Sequence, residues 1–482
     1  MCTSVSLGRF FLVLLVFLSV VLAVLLHSHI AADDAAITFR YVDRAASGKG
    51  WTYNDHERVQ GFSNPFYTAL LSLLRLAGLD VETAAWFLQL LLYAAVVCLS
   101  YLLASRLAGP WGGLLAGTGL LASGFFRYQA LDGMEASLSA FLGLGAIFFM
   151  GMDAPGTSGV LLGLALVNKL DAGFLALAIG AAYLLAFRKI PWKTMLVSGA
   201  TALPWFVFAQ AYYGSVLPNS MLVKMNLHAH GSLDRTWIMR ILLENHGVLL
   251  LFPLLTAVLA GRRWAAHRKF TLLASLIWLA AHGTAFSLVD LGDAYPWYAT
   301  VLFPPLMALC GAGASALWRF TSWRSGYGWL VSAAVLFAFV IPTVETGYRT
   351  TFPDLAAGNP IHPWEAFDLD RRLAGVFLDS FAGKDEIVSS AFGWVAYESR
   401  RPFNDTSLLN TIHTLEPAAY VVNHGVPYTE GSSAPAAPAG YVPLATFDLA
   451  GSLFPGYSWF TVFGRPDSSI ARKGIRFLER RM

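Results

Sequence analysis

Two adjacent carboxylates, Asp33 and Asp34, stand where a long apolar run gives way to a polar stretch, DDAAITFRYVDRAASGKGWTYNDHERVQGFSNPF, at residues 33–66. Charged groups at the mouth of a membrane span are costly unless they sit at the interface or perform a function there. A carboxylate shielded from bulk water at the outer end of a helix can act as a general base on a hydroxyl acceptor. Adjacent acids point in different directions on a helix or a strand, so only one of the pair need be that base. The other could bind a metal, orient an acceptor or shape the loop. A divalent cation at Asp33/Asp34 is compatible with these residues but not demanded by them. The bland alternative is an acid pair that caps a short helix starting at Ala35. Arg40, Tyr41, Glu57, Arg58 and Asn64 in the same stretch favour the functional reading.

Cations on the outer side come next, because that side is otherwise acidic. Arg40, Arg58, Lys169 and Lys224 are the candidates. A phosphate-bearing lipid substrate would need them, since guanidinium and ammonium groups stabilise the charge of a departing phosphate. Lys169 lies in Asn168-Lys169-Leu170-Asp171, where a structural bridge to Asp171 is the competing reading. A second polar loop, YYGSVLPNSMLVKMN at 212–226, offers Tyr213, Asn219 and Lys224. Tyr212 and Tyr213 suit an interfacial aromatic belt. A turn into an amphipathic helix resting on the bilayer is the plain alternative. His56, His228, His230 and His246 have no metal-ligand spacing. His246, beside Asn245 at the start of a span, is retained as a phosphate contact. Asp132 and Glu135 in Asp132-Gly133-Met134-Glu135, with Asp293 and Tyr298 farther on, form outer clusters placed to touch a substrate.

These groups must be positioned by a membrane scaffold. Of the 482 residues, 56% are hydrophobic and 13% charged. Mean hydropathy is +0.55. A soluble chain carries about a quarter charged residues, so the composition predicts a polytopic α-helical membrane protein. Apolar runs are expected to span at about 10–27, 84–104, 110–125, 135–152, 157–168, 171–187, 193–211, 247–260, 270–288, 297–317 and 327–344, about eleven helices in all. Residues 65–79 read as an interfacial or re-entrant helix. The first run is read as an uncleaved helix rather than a signal peptide.

With the N-terminus inside, Arg106, Arg188, Lys189, Lys193, Arg262, Arg263, Arg268, Lys269, Arg319 and Arg324 fall on the cytoplasmic side, with almost no acid there apart from Asp153. Asp33, Asp34, Asp43, Asp55, Glu57, Asp132, Glu135, Asp171, Asp290 and Asp293 fall outside. This asymmetry follows the positive-inside rule. The Gly-rich runs 109–119 and 143–151 are expected to serve close helix packing. The chain thus divides into a membrane domain, 1–344, with an outer loop at 31–83, and a small C-terminal α/β domain, 345–482, outside the cytoplasm. The three cysteines imply neither disulfide nor metal site. Without a basic stripe outside the short loops, nucleic acid is not an expected partner.

DDAAITFRY, GKGWTYNDHERVQGFSNPF, LDGMEA, YYGSVLPNS and YPWYATVLFPPL, in that order, resemble the GT-C polyprenyl-phosphate-dependent glycosyltransferases. Within them the chain looks most like the AftB-type arabinofuranosyltransferases and their bacterial relatives, including pilin-modifying enzymes. FGWVAYESRRPFNDTSLLN is similar to the tail domain of that group. The resemblance implies an aspartate base at Asp33 or Asp34 and a sugar donor, best matched by D-arabinofuranose, carried on a polyprenyl phosphate in the outer leaflet. It departs at Gln60, where relatives often carry Glu, and at Asn168-Lys169-Leu170-Asp171, which replaces Arg-Pro-Asp or Arg-Pro-Glu.

The expectation is therefore an inverting membrane glycosyltransferase of a bacterial inner membrane, acting on the periplasmic side. Its partners would be the lipid bilayer, the lipid-linked donor and a polysaccharide, glycolipid or protein acceptor. Two rivals are a transporter or flippase for lipid-linked sugars, which predicts mid-span charges and an inverted repeat, and a non-catalytic envelope-assembly component.

Overall fold

The computed structural model describes residues 2–26, 31–55, 57–228, 264–288, 297–322, 363–390, 393–405, 417–424, 439–447 and 459–473, with a few single positions between 238 and 256. Helix α1, Cys2–Leu26, is apolar all round and leaves Phe10, Val13 and Phe17 on its surface. The polar stretch then forms α2, Asp33–Ala46, and the start of α3, Pro65–Leu76, which opens on proline at its first turn. The long helix α4, Val81–Ala108, starts where the Asp80 carboxylate accepts the Thr83 N–H at 3.1 Å. It stops at Gly109, whose φ of 82° is a left-handed value that glycine adopts at little cost.

Helices α5, Pro110–Ala122, α6, Gly124–Ala130, α7, Ala136–Gly151, and α8, Pro155–Asn168, follow. A 3-10 turn, Leu170–Ala172, leads into α9, Gly173–Phe187, then α10, Trp192–Tyr213, and α11, Asn219–His228. Farther on are α12, Ala266–Leu288, α13, Trp297–Thr300, and α14, Phe303–Ser322. The small residues do pack closely. A methyl carbon at Gly311 would lie 2.4 Å from the Gly112 carbonyl oxygen, so α5 and α14 meet backbone to backbone.

Among the described residues, six segments are long and apolar enough to cross a membrane: Leu7–Leu25, Val81–Ala108, Leu170–Phe187, Trp192–Tyr213, Ala266–Leu288 and Trp297–Trp318. The expected spans at 110–125, 135–152 and 157–168 are helices, but α5, α7 and α8 have only 13, 16 and 14 residues. At 1.5 Å per residue they reach roughly 20–24 Å, short of a hydrocarbon core of about 30 Å. The expected spans at 247–260 and 327–344, and the domain boundary near 344, lie outside the described residues.

The tail is an α/β unit. Helix α15, Pro363–Phe381, precedes β1, Val388–Ser390, then α16, Gly393–Ser399, and β2, Phe403–Asp405. Strands β3, Ala419–His424, β4, Val442–Phe447, and β5, Trp459–Gly464, complete a five-stranded sheet of order β2-β1-β3-β5-β4. β1 runs parallel to β2 and β3, whereas β5 is antiparallel to β3 and β4. Its apolar core is not its own. Leu378, Val388, Val395, Phe403 and Val462 pack in one cluster with Tyr41, Tyr53 and Phe62 of the polar stretch. Burying those aromatics against the sheet is what joins the tail to the polar stretch.

Candidate active site

Asp33 is the first residue of α2, yet it does not cap that helix. The residue before it is Ala32, and no side chain caps the α2 terminus. Instead, Asp33 Oδ2 accepts the Gly393 N–H at 3.0 Å and Oδ1 accepts the Trp394 N–H at 2.9 Å. The carboxylate therefore holds the start of α16, a segment 360 residues away in sequence. The Trp394 indole N–H donates to the Ala31 carbonyl at 3.0 Å, closing the same joint from the other side.

Only glycine fits here. A methyl carbon at Gly393 would lie 2.2 Å from the Asp33 carbonyl oxygen. Gly393→Ala should loosen the joint and destabilise the fold by about 1–3 kcal/mol, the usual penalty for forcing an extra methyl into a packed site. Thermal unfolding in detergent reads this out, and an unchanged midpoint would refute the close approach.

Helix α15 brings two residues to the pair that the sequence reading did not single out. Arg371 Nη1 lies 2.8 Å from Asp368 Oδ1 and 3.7 Å from Asp33 Oδ2. Burial pushes the Asp368 carboxyl up to about 8, with Asp33 and Asp34 reinforcing the shift and Arg371 opposing it. Asp34, the next residue on α2, is half-buried in this acidic corner. Arg372 clamps the tail to the membrane helices. It reaches Glu82 of α4 at 2.7 Å and Glu398 of α16 at 2.6 Å, and lies 4.6 Å over the Trp394 ring.

Arg40 is buried on the same joint. It donates to the carbonyls of Tyr53 (3.0 Å), Arg401 (2.8 Å) and Ala396, and at 3.4 Å to Asn54 Oδ1. Its guanidinium thus binds backbone on both the loop and the tail. Tyr41 is buried as well, donating to the Val59 carbonyl at 2.7 Å and accepting the Gly61 N–H at 3.1 Å.

A second polar network lies inside the bundle. Glu135, at the start of α7, accepts from Asn64 Nδ2 at 2.8 Å and from the Lys169 ammonium. Asn64 also pairs with Thr38 of α2 at 3.2 Å and accepts from Thr68 at 3.0 Å. Lys169 is buried and sits 4.5 Å over the ring of Tyr298. The ion pair anticipated within Asn168-Lys169-Leu170-Asp171 therefore forms with Glu135, across helices; Asp171 is half-buried in the 3-10 turn next door.

The Asp132–Glu135 loop links the two networks. The Asp132 carbonyl accepts the Ala32 N–H at 2.7 Å, one residue before the aspartate pair. Its carboxylate accepts the Met134 N–H at 2.9 Å. Gln89 of α4 grips the loop from behind, accepting from Gly133 N–H at 3.0 Å and donating to the Met134 carbonyl at 2.6 Å. Gly133 has φ +89°, and a methyl carbon there would sit 2.7 Å from Ala31 Cβ.

The remaining candidates form the rim. The exposed Arg58 lies 4.6 Å over the Tyr212 ring, and Glu57 accepts from Asn54 at 2.7 Å. Tyr213 donates to the Trp51 carbonyl at 2.9 Å, and the Asn219 N–H donates to the Gln60 carbonyl at 2.8 Å. These contacts fold the 212–226 loop onto the first polar stretch. Lys224 belongs to α11, but its side chain, like the whole of His246 and Asp293, lies outside the described residues. Among the described residues no group of three or more His, Cys, Asp or Glu side chains is arranged to hold a metal ion.

Gly393 and Trp394 carried a sequence signal, since both lie in the FGWVAYESRR stretch. Asp368 and Arg371 carried almost none. Spaced three apart on a charged helix, they read as an ordinary solvated pair, and only the fold turns them toward Asp33.

No family model matches the chain, and no curated protein does. Solved structures do. ArnT from Cupriavidus metallidurans bound to undecaprenyl phosphate superposes with a TM-score of 0.57 at 14% identity, over 83% of this chain and 85% of that one. The oligosaccharyltransferase AglB from Archaeoglobus fulgidus, in complex with an inhibitory peptide and a dolichol-phosphate, gives 0.57 at 13% identity. That match covers 82% of this chain but 64% of AglB, so the chain spans less than two thirds of the archaeal protein. The chain has the GT-C fold. In that fold the six apolar segments identify a multi-pass membrane protein, with the aspartate pair at the junction of membrane helices and tail.

Proposed function

We propose that the chain is a membrane glycosyltransferase that moves a sugar from a polyprenyl-phosphate carrier to a hydroxyl acceptor, on the outer side of a bacterial inner membrane. The observation that carries this reading is the pair at the head of α2. One carboxylate is anchored by two backbone amides of the tail and the next stands half-buried beside it, in a GT-C fold. Both similar structures hold a polyprenyl-type phosphate, undecaprenyl phosphate in ArnT and dolichol-phosphate in AglB.

In this mechanism Asp34 accepts the proton of the acceptor hydroxyl. The freed oxygen forms a bond to the anomeric carbon as the bond from that carbon to the phosphate oxygen breaks. The electron pair leaves with the polyprenyl phosphate, and the single displacement inverts the anomeric centre. Asp33 is a positioning residue, since both its oxygens hold α16. Arg58, Lys224 and His246 supply positive charge for the leaving phosphate. Arg40 and Lys169 act indirectly, by fixing the loop to the tail and Glu135 to the bundle. The sugar we assign is D-arabinofuranose, on the sequence resemblance described above, and the tail domain lies in the periplasm.

Transfer from radiolabelled polyprenyl-phosphate arabinofuranose by the purified chain in lipid nanodiscs tests this reading. Labelled acceptor product with an inverted anomeric centre is expected. Absence of transfer from this donor and from other polyprenyl-phosphate sugars would sink the enzyme assignment and return the flippase reading.

A further inference from the structure

A cleft of about 920 Å³ opens between the C-terminal half of α2, the loop that follows it and the tail. It is lined by seven cations, Arg40, Arg44, Lys49, Arg75, Lys384, Arg400 and Arg401, against four acids, Asp43, Asp55, Glu57 and Asp385. Most of this charge is spoken for. Asp55 takes Arg44 at 2.6 Å and Lys49 at 3.3 Å, Asp43 takes Arg75 at 2.6 Å, and Arg401 reaches Asp379 at 3.1 Å. Arg40 is held by carbonyls.

Two cations stand apart. Lys384 and Arg400 have no acidic partner within 4 Å among the described residues, although Asp385 follows Lys384 in the chain. Arg400 is exposed, in the turn between α16 and β2, at φ +52°. A left-handed backbone is unfavourable at a residue with a Cβ, so the turn presents this guanidinium at an energetic penalty. The wall between them is already knitted together, with Tyr397 donating to Asp43 at 3.0 Å and the Asn54 amide holding Glu57 and the Phe403 backbone, so Arg400 and Lys384 are the groups left to meet a ligand.

We infer that this cleft binds an anionic polysaccharide, whose carboxylates or phosphates pair with Arg400 and Lys384. A guanidinium and an ammonium on one rim match repeated oxyanions along a chain. Asp33 and Asp43 are ten residues apart on α2, about 15 Å at 1.5 Å per residue. The cleft therefore lies one helix-length from the aspartate pair. It would hold a remote part of the acceptor while its end lies at Asp34, a role that rests on the transferase reading. Binding itself does not depend on that reading.

Fluorescein-labelled polygalacturonate oligomers, with neutral dextran of equal length as comparator, test this by anisotropy on the full-length protein in detergent at low salt. The wild type should bind polygalacturonate and not dextran, and added salt should weaken binding. Arg400→Glu with Lys384→Glu should weaken it by about tenfold or more. Arg400→Gly, which relieves the left-handed strain, should lose affinity without losing thermal stability. Arg268→Glu, an exposed cation at the start of α12, should change nothing. Equal binding of dextran, or full binding by the double reversal, would overturn the inference. The assay contains no sugar donor, so its failure leaves the transfer reaction standing, and failed transfer leaves the cleft testable.

Discussion

Asp34→Asn should lower kcat for transfer by about 10²–10⁴-fold, the range a positioned general base contributes. KM for the lipid donor should stay within a few-fold, because the substitution keeps the size of the side chain while removing its basicity. Asp33→Asn behaves differently. An amide oxygen can still accept one of the two N–H donors of α16, but the amide nitrogen then faces the other donor. Leaving a buried N–H unpaired costs about 1–3 kcal/mol. The Asp33 variant should therefore show a lower unfolding midpoint together with partial activity, whereas the Asp34 variant should lose turnover far beyond any change in its midpoint. Steady-state kinetics and thermal unfolding on the two variants separate the roles. Full turnover in Asp34→Asn would end the base assignment.

Lys169→Met destabilises the membrane bundle by about 3–5 kcal/mol, since it leaves the Glu135 carboxylate buried without its cation. The double variant Glu135→Gln with Lys169→Met recovers most of that loss, because a buried ion pair replaced on both sides is often close to neutral. Unfolding free energies of the two single variants and the double give the coupling directly. If the losses simply add, the pair is not the structural link drawn above. Transfer by the double variant then reports whether Lys169 also serves the donor.

How much of this could be read in the chain depends on distance. The aspartate pair, the short helix that follows it and the helix at Pro65 were legible because each is written locally, in an apolar-to-polar change or a proline. The α/β nature of the tail was legible from its ordinary content of polar and turn residues. The short lengths of α5, α7 and α8 were not, since apolar composition marks a segment as membrane-compatible without fixing where its hydrogen-bonded run ends. Nor was the role of Arg40. An arginine seven residues after an aspartate suggests a phosphate ligand, and nothing local says that three carbonyls await it. Arg371 and Asp368 were illegible for the same reason, because their meaning lies in contacts to residues more than three hundred positions away.

The amide of Trp394 and the carboxylate of Asp33 are separated by 361 positions, so the first polar stretch stays unfinished through most of synthesis. A ribosome-bound chain that stops short of Trp394 lacks one of the two donors that hold Asp33 and lacks the indole that holds Ala31. A half-built chain thus already holds both aspartates but not the joint that fixes them, and the corner takes its final shape only after the tail has been made.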